Sequence, residues 1–193
     1  MRLDHKVIFD VIEPKSRVLD LGCGDGELLS LLEQGKQIKG QGVELNDREI
    51  YKCVEKGLTV FHGDIDSGLI GYPDQSFDYV ILNQTMQEAK KAELVIQEAL
   101  RVGKKVIVGF PNFAPIMARI SVAFLGRTPI TKSLPYRWYN TPNLHFLTIK
   151  DFQDFCREKN IIIERAFYLG SKGFMNFLPN LLALNAIFVI KHR

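Results

Sequence analysis

A chain of 193 residues, 46% hydrophobic and 24% charged, has the makeup of a globular α/β domain. A net charge of +3 with scattered Lys and Arg excludes a strongly basic nucleic-acid footprint. Cys23, Cys53 and Cys156 lie far apart with no C-x-x-C, which excludes a disulfide framework or a cysteine zinc site and fits a reducing, cytoplasmic compartment.

The first residues, MRLDHKVIFDVI, interleave Asp4, Lys6 and Asp10 with apolar side chains and lack a signal-peptide core. No uncharged apolar run reaches the length that crosses a bilayer. Residues 17–21 form a short apolar run ending at glycines and read as a buried strand. Residues 27–34, ELLSLLEQ, carry a leucine face that predicts a helix stopping at Gly35. A second strand ends over 42–45. Asp47 is a candidate cap for a helix that Gly57 terminates. Residues 58–62 read as a third strand, and Pro73, Asp74, Gln75 and Ser76 supply turn chemistry before a fourth over 77–82. An amphipathic helix over 93–102 ends at Gly103, and 105–110 is a fifth strand closed by Pro111. Such alternation specifies a parallel sheet with right-handed crossovers.

The rhythm then breaks. Residues 112–125 look helical, interrupted early by Pro115, and their aliphatic run reads as core or a helix-packing face rather than a membrane element. Residues 126–147 are irregular and rich in Pro, aromatic and basic residues. Thr148 with Asp151 is a capping box for a helix over 149–159. The last strands, 161–169 and 186–191, have no clear helix between them, which predicts an antiparallel final pair.

VLDLGCGDG, residues 18–26, places Gly22, Gly24 and Gly26 between a strand and a helix. Such a turn lets backbone approach a ligand closely, beside a helix N-terminus. The dinucleotide fingerprint G-x-G-x-x-G would need glycine at 27, where this chain has Glu27 beside Asp25. Two acids disfavour a pyrophosphate and favour a ligand with a ribose or an amino-acid end. Glu44 ends the second strand, where an acid bonds ribose hydroxyls. Asp64 follows the third strand and is a candidate acceptor for an adenine amine, with Ile65 against the purine face. Asp20 is placed to orient a cationic α-amino group. All lie at carboxyl ends of adjacent parallel strands, where open α/β sheets bind ligands. Each acid alone is an ordinary cap; their joint placement points to a nucleoside-type ligand.

VLDLGCGDG, VELN, GDI and FDYVILNQ resemble the successive motifs of class I S-adenosylmethionine-dependent methyltransferases. The resemblance implies a three-layer, Rossmann-like α/β fold with a seven-stranded, mostly parallel sheet and an antiparallel last strand. It also implies S-adenosylmethionine or S-adenosylhomocysteine as cofactor. Asp20, Gly22 and Gly24 would line its methionine end, Glu44 its ribose, Asp64 and Ile65 its adenine, and Asn83 its sulfonium; Cys23 and Leu45 complete the implied set. GDGELLSLL, FPNF, RTPITKSLPYRWYNTPNLHF and TIKDFQDFC resemble the methionine biosynthesis protein MetW family almost from end to end. That implies one domain over 1–193, with an insert at about 112–147, and a role beside homoserine O-acyltransferase.

Whether the chain also performs chemistry stays open at this level. Methyl transfer is an in-line displacement in which positioning supplies much of the catalysis, so no obligatory base identifies it. Residues 83–86 read NQTM in place of the [D/N]-P-P-[Y/F] of amino-directed nucleic-acid methyltransferases, and no Pro-Cys nucleophile is present. The insert gathers Arg127, Lys132, Tyr136, Arg137, Trp138, Tyr139 and His145. Such residues anchor interfaces or bind a carboxylate, and they equally fit a long loop packed on the sheet. His145, alone, reads as a packing or hydrogen-bonding residue. Two readings follow: a cofactor-binding partner of the acyltransferase, or a methyltransferase acting on a small molecule.

Overall fold

The computed structural model describes residues 1–131, 133–171 and 173–193. Helix α1 (Leu3–Val11) opens the chain and buries Val7, Ile8 and Val11 along one face. The sequence reading assigns no helix here. Only nine residues form it, with charges between the apolar positions, and its N-cap, Arg2, makes no capping side-chain bond.

Strand β1 (Arg17–Leu21) then leads into α2 (Glu27–Lys36), β2 (Lys39–Glu44), α3 (Asp47–Glu55) and β3 (Val60–His62). Three expectations are corrected in this half. Gly35 does not stop α2; the helix ends at Gln37 in a left-handed conformation, φ 55°. A Cβ at Gly35 would run into the Phe9 ring, so this glycine serves the packing of α1 on α2. The cap of α3 is Asn46, whose side chain accepts from Arg48 N, and Asp47 is the first helical residue. β3 starts at Val60 rather than 58, because Leu58 N still bonds to Cys53 O in the final turn of α3.

The second half comprises β4 (Phe77–Asn83), α4 (Ala92–Val102), β5 (Gly103–Pro111), α5 (Ile116–Leu125), α6 (Ile149–Glu158), β6 (Ile162–Leu169), the short α7 (Pro179–Leu182) and β7 (Asn185–Lys191). α5 begins after Pro115, not at 112: Asn112 is fully buried, and its Nδ2 bonds to the carbonyls of Asn180 and Ala183. The capping box of Thr148 and Asp151 forms reciprocally. The single turn of α7 was not legible, having only four residues.

The seven strands make one sheet in the order β3-β2-β1-β4-β5-β7-β6. All pairs are parallel except those of β7, which is antiparallel to β5 and β6. Alternate residues supply two cores. Leu19, Leu82, Val108 and Phe188 face α4 and α6; Val18, Ile81, Ile107 and Val189 face α1, α2 and Cys53 of α3. Crossovers leave β1 and β4 in opposite directions, so their carboxyl ends open a crevice at the switch point.

The first core centres on Phe110, Phe152 and Phe188, with ring centroids 4.9–5.8 Å apart. Phe188→Ala is expected to cost about 3–5 kcal/mol. Urea denaturation would read this as a lower midpoint at unchanged slope.

Candidate functional site

The site begins at the turn after β1. Gly22, Gly24 and Gly26 all have positive φ (71°, 55° and 75°), a conformation that other residues adopt at a cost. Their surroundings differ. A Cβ on Gly22 would strike Thr85, and one on Gly26 would strike Leu58 and Cys53, whereas nothing lies within 4 Å of a Cβ on Gly24. Gly22 and Gly26 are therefore packing positions as well as turn positions, and Gly24 faces open space.

Most N–H groups of this turn are already bonded within the protein. Gly22 N and Cys23 N donate to Val43 O (2.8 and 3.2 Å), and Gly26 N donates to Cys23 O. Gly24 N donates to Glu44 Oε2 (2.8 Å), and Glu27 N to Asp25 Oδ1 (3.1 Å). A phosphate cradle needs free N–H groups and a positive field. This turn has most of its N–H groups engaged and carries the carboxylates of Asp25 and Glu27, Asp25 being held by Lys56 (3.0 Å). The argument from Glu27 against a pyrophosphate is thereby supported by the hydrogen bonding.

Glu44 is fixed on three sides. Besides Gly24, its Oε1 accepts from Leu45 N and Asn46 N, both at 2.9 Å. Asp64 caps a short 3-10 turn, accepting from Asp66 N (2.9 Å) through Oδ1. These residues, with Gly22, Gly24, Leu45 and Ile65, line an open cavity of about 560 Å³. A narrower cavity of about 220 Å³ adjoins it and is lined by Asp20, Gly22, Cys23, Gly24 and Asn83. All nine sequence-derived candidates thus border two adjoining cavities over the crevice.

Asp20 is only 3% exposed. Burial, reinforced by the negative charge of Glu44, pushes its carboxyl up to about 7. The Cys23 thiol is pushed well above its ordinary range, by burial first and then by Asp20, so it stays protonated and is no nucleophile.

Several residues of the site escaped sequence reasoning. Asp4 of α1 accepts from Asn83 Nδ2 (3.1 Å) and Arg2 Nη2 (2.7 Å). Burial opposes ionisation of Asp4, but those two partners hold its carboxyl below the usual range. His5, 5% exposed, faces Glu27 (3.7 Å) and is held below its ordinary pKa by burial. Gln84 borders both cavities with a left-handed backbone, φ 62°, a strained conformation of the kind that gathers at functional sites. The charges between its apolar residues hid α1, and Gln84 was met only as part of the NQTM run.

The insert lies beside this cleft. Leu144 N and His145 N both donate to Gln87 O (2.9 and 3.0 Å), and His145 Nε2 donates to Ala89 O (2.9 Å). His145 is thus an anchoring residue, as its isolation in sequence implied. Trp138 and Tyr139 are 75% and 63% exposed, meet edge to face, and do not pack on the sheet. Tyr136 is half exposed, Arg127 and Arg137 are exposed, and Lys132 lies outside the described residues. Of the two readings of the aliphatic run of α5, core or a helix-packing face, the structure does not bear out core: of that helix only Ala118 is buried, and Met117, Phe124 and Leu125 face solvent. Among the described residues no helix is long and apolar enough to cross a membrane.

A sheet of this order, with an antiparallel β7 and a glycine turn tied to an acidic β2 end, defines the α/β fold of the S-adenosylmethionine-dependent methyltransferases. Two of the crystal structures that share it serve as examples. One, from Thermotoga maritima, is described as an S-adenosylmethionine-dependent methyltransferase and possible histamine N-methyltransferase; it aligns with TM-score 0.70 at 18% identity, over 99% of this chain and 88% of its own. The other, an S-adenosylmethionine-dependent methyltransferase from Archaeoglobus fulgidus, gives 0.71 at 14% identity, over 98% and 91%. The family model of the methionine biosynthesis protein MetW matches residues 2–190, and the chain belongs to the MetW family. The bifunctional methionine biosynthesis protein MetXA/MetW of Rhodopirellula baltica is 34% identical over 177 residues, 87% of this chain. The chain corresponds to 28% of the length of that relative.

Asp20 gives the site a pH signature. Between about pH 4 and about pH 7 the folded protein holds a proton here that the unfolded chain releases. The carboxyl therefore costs stability progressively as pH rises, and the cost is complete above about pH 7. Asp20→Asn removes it. The variant is expected to match the parent near pH 4 and to be the more stable of the two near about pH 8. Thermal denaturation across that range reads the difference, and a gain that does not change with pH would exclude the assignment.

Proposed function

We propose that this protein binds S-adenosylmethionine or S-adenosylhomocysteine in the β1–β4 crevice and supports or regulates homoserine O-acyltransferase in methionine biosynthesis. The observation that carries the partnership is the bifunctional relative, in which a MetW region and a MetXA region share one polypeptide. We read that MetXA region as the acyltransferase. Fusion holds two modules at high effective concentration, which is useful where they act together. The exposed Tyr136, Trp138 and Tyr139, with Arg127, Lys132 and Arg137, are the proposed contact surface; Tyr, Trp and Arg are the residues that anchor interfaces.

Within the cleft, Glu44 is proposed for the ribose. A carboxylate has about four lone-pair sites, and three backbone N–H groups already use Glu44. One ribose hydroxyl takes the remaining site and the other competes with Gly24 N–H. Asp64 keeps one oxygen for the adenine amine while the other caps its turn, and Ile65 packs on the ring. Asp20, Gly22, Cys23 and Gly24 enclose the methionine end, with Asn83 beside the sulfonium. Asp20 is then a counter-charge for the ligand's ammonium, which compensates the cost of burying the carboxylate. Methyl transfer to a small molecule is the second reading. It is favoured by a further cavity that opens beside Gln84, next to the proposed sulfonium position.

Calorimetry with S-adenosylmethionine and S-adenosylhomocysteine tests the ligand. Glu44→Ala and Asp64→Ala are each expected to weaken binding by about 1–3 kcal/mol. Unchanged affinity in both would remove the placement. For the partnership, the acyltransferase is expected to co-purify with this protein and to change rate when it is added. Separate elution together with an unchanged rate would overturn that role. Turnover to S-adenosylhomocysteine over a metabolite panel, above a Glu44→Ala control, would establish the second reading.

A further inference from the structure

Residues 112–147 contain no Asp and no Glu, although the chain has 22 of them. The same stretch holds Arg119, Arg127, Lys132 and Arg137, so it alone accounts for the net charge of +3. Among the described residues no salt bridge neutralises Arg119, Arg127 or Arg137. On α5, Met117, Ile120 and Phe124 follow at steps of three and four and form an exposed apolar stripe.

α5 is tied to the insert at both ends. Arg127 N donates to Ser121 O (3.1 Å), and Ser121 Oγ donates to Arg127 O (3.0 Å), which turns the chain back as the helix ends. Before the helix, Phe113 N donates to Leu147 O (3.1 Å), and the rings of Phe113 and Phe146 meet with centroids 4.7 Å apart. A pocket of about 220 Å³ lies here. Phe113, Tyr136, Trp138 and Phe146 give it aromatic walls, Leu134 also lines it, and among the described residues no charged side chain does. Pockets that hold whole small molecules start near about 300 Å³, so this one suits a single side chain.

Such a face asks for two things: an apolar group to fill the pocket and anions to match the cations around it. A second copy of the face would set cation against cation, which repels. A bilayer takes apolar groups that protrude into it, whereas these rings enclose a recess. A protein that presents one apolar side chain within an acidic patch meets both needs. In the Rhodopirellula baltica relative a MetXA region shares one polypeptide with the MetW region, which puts such a protein within reach.

We propose that α5 and the insert form one docking face for an acidic surface of the acyltransferase, which seats a single apolar side chain in the pocket of Phe113, Tyr136, Trp138 and Phe146. This rests on the partnership proposed above and adds the chemistry of the partner's side. Carboxylates of the acyltransferase pair with Arg127 and Arg137, and Met117 and Phe124 extend the apolar contact along α5.

The full chain and the purified acyltransferase are titrated together by calorimetry at low and high salt. Trp138→Ala and Phe124→Asp change side chains that are 75% and 82% exposed, so the fold does not depend on them and either variant is decisive. Each is expected to weaken the complex roughly tenfold or more. Arg127→Glu combined with Arg137→Glu is expected to do the same, and to remove the loss of affinity with salt that the parent shows. Lys39→Glu, an exposed cation at the start of β2, is expected to bind like the parent. A complex that keeps its affinity in all three face variants overturns the docking face and leaves the partnership standing. No complex with the parent sinks the partnership, and the docking face with it. The parent is also run alone by analytical ultracentrifugation and against vesicles of phosphatidylcholine with phosphatidylserine. Self-association or vesicle binding that Trp138→Ala abolishes would give the face to a second copy or to a membrane, and would likewise overturn the proposal.

Discussion

The glycine turn after β1 is tied to β2 by its own N–H groups. Val43 O takes two of them, and Glu44 takes Gly24 N before turning its other oxygen to Leu45 N and Asn46 N. This stitch fixes the position of both candidate cavities, because Gly22, Gly24 and Gln84 border each of them. It also sets their electrostatics. With most of the turn's donors engaged, little of an anion cradle remains, and Glu44 and Asp64 give the crevice a negative character. Hydroxyl donors and cationic groups suit such a site, and phosphates do not. A buried carboxyl at Asp20 is tolerated because the surrounding packing over-determines its place, a pattern common where function stores cost.

The second organising contact is between the insert and the segment after β4. Gln87 O and Ala89 O accept from residues 144 and 145, so the wall that carries Glu88 is held by the insert itself. Trp138 and Tyr139 stand exposed a few residues before that anchor. Anything that docks on those aromatics would press on a loop whose other end supports the cleft. α5 adds an apolar surface of Met117, Phe124 and Leu125 to the outside of the molecule. Exposed apolar groups so gathered are characteristic of interaction surfaces.

Much of this was legible in the chain. β1, β4 and β5 are buried on both faces, so their apolar runs stand out, and their limits shift only slightly between sequence and structure. Asp20, Glu44 and Asp64 were found because a parallel sheet places strand ends side by side. Local signals failed where tertiary contact overrode them. Gly35 looks like a stop but serves the Phe9 contact. The aliphatic run of α5 looks like core, yet it buries only Ala118. Asp4 and His5, with Arg2 just before them, stand at the start of a helix too short and too charged to be seen by periodicity, and they reach the cleft because Val7, Ile8 and Val11 dock that helix beside it.

By itself the sequence determined the fold class, the strand-end acids and the family, since each depends on residue types at fixed spacing along the chain. The tertiary structure alone decided which backbone donors the turn had left, that Asp20 is buried beside Glu44, and that Arg2 and Glu88 share a cavity. Those facts concern groups far apart in sequence. Hydrogen-bond saturation and charge matching in three dimensions leave no periodic trace in one.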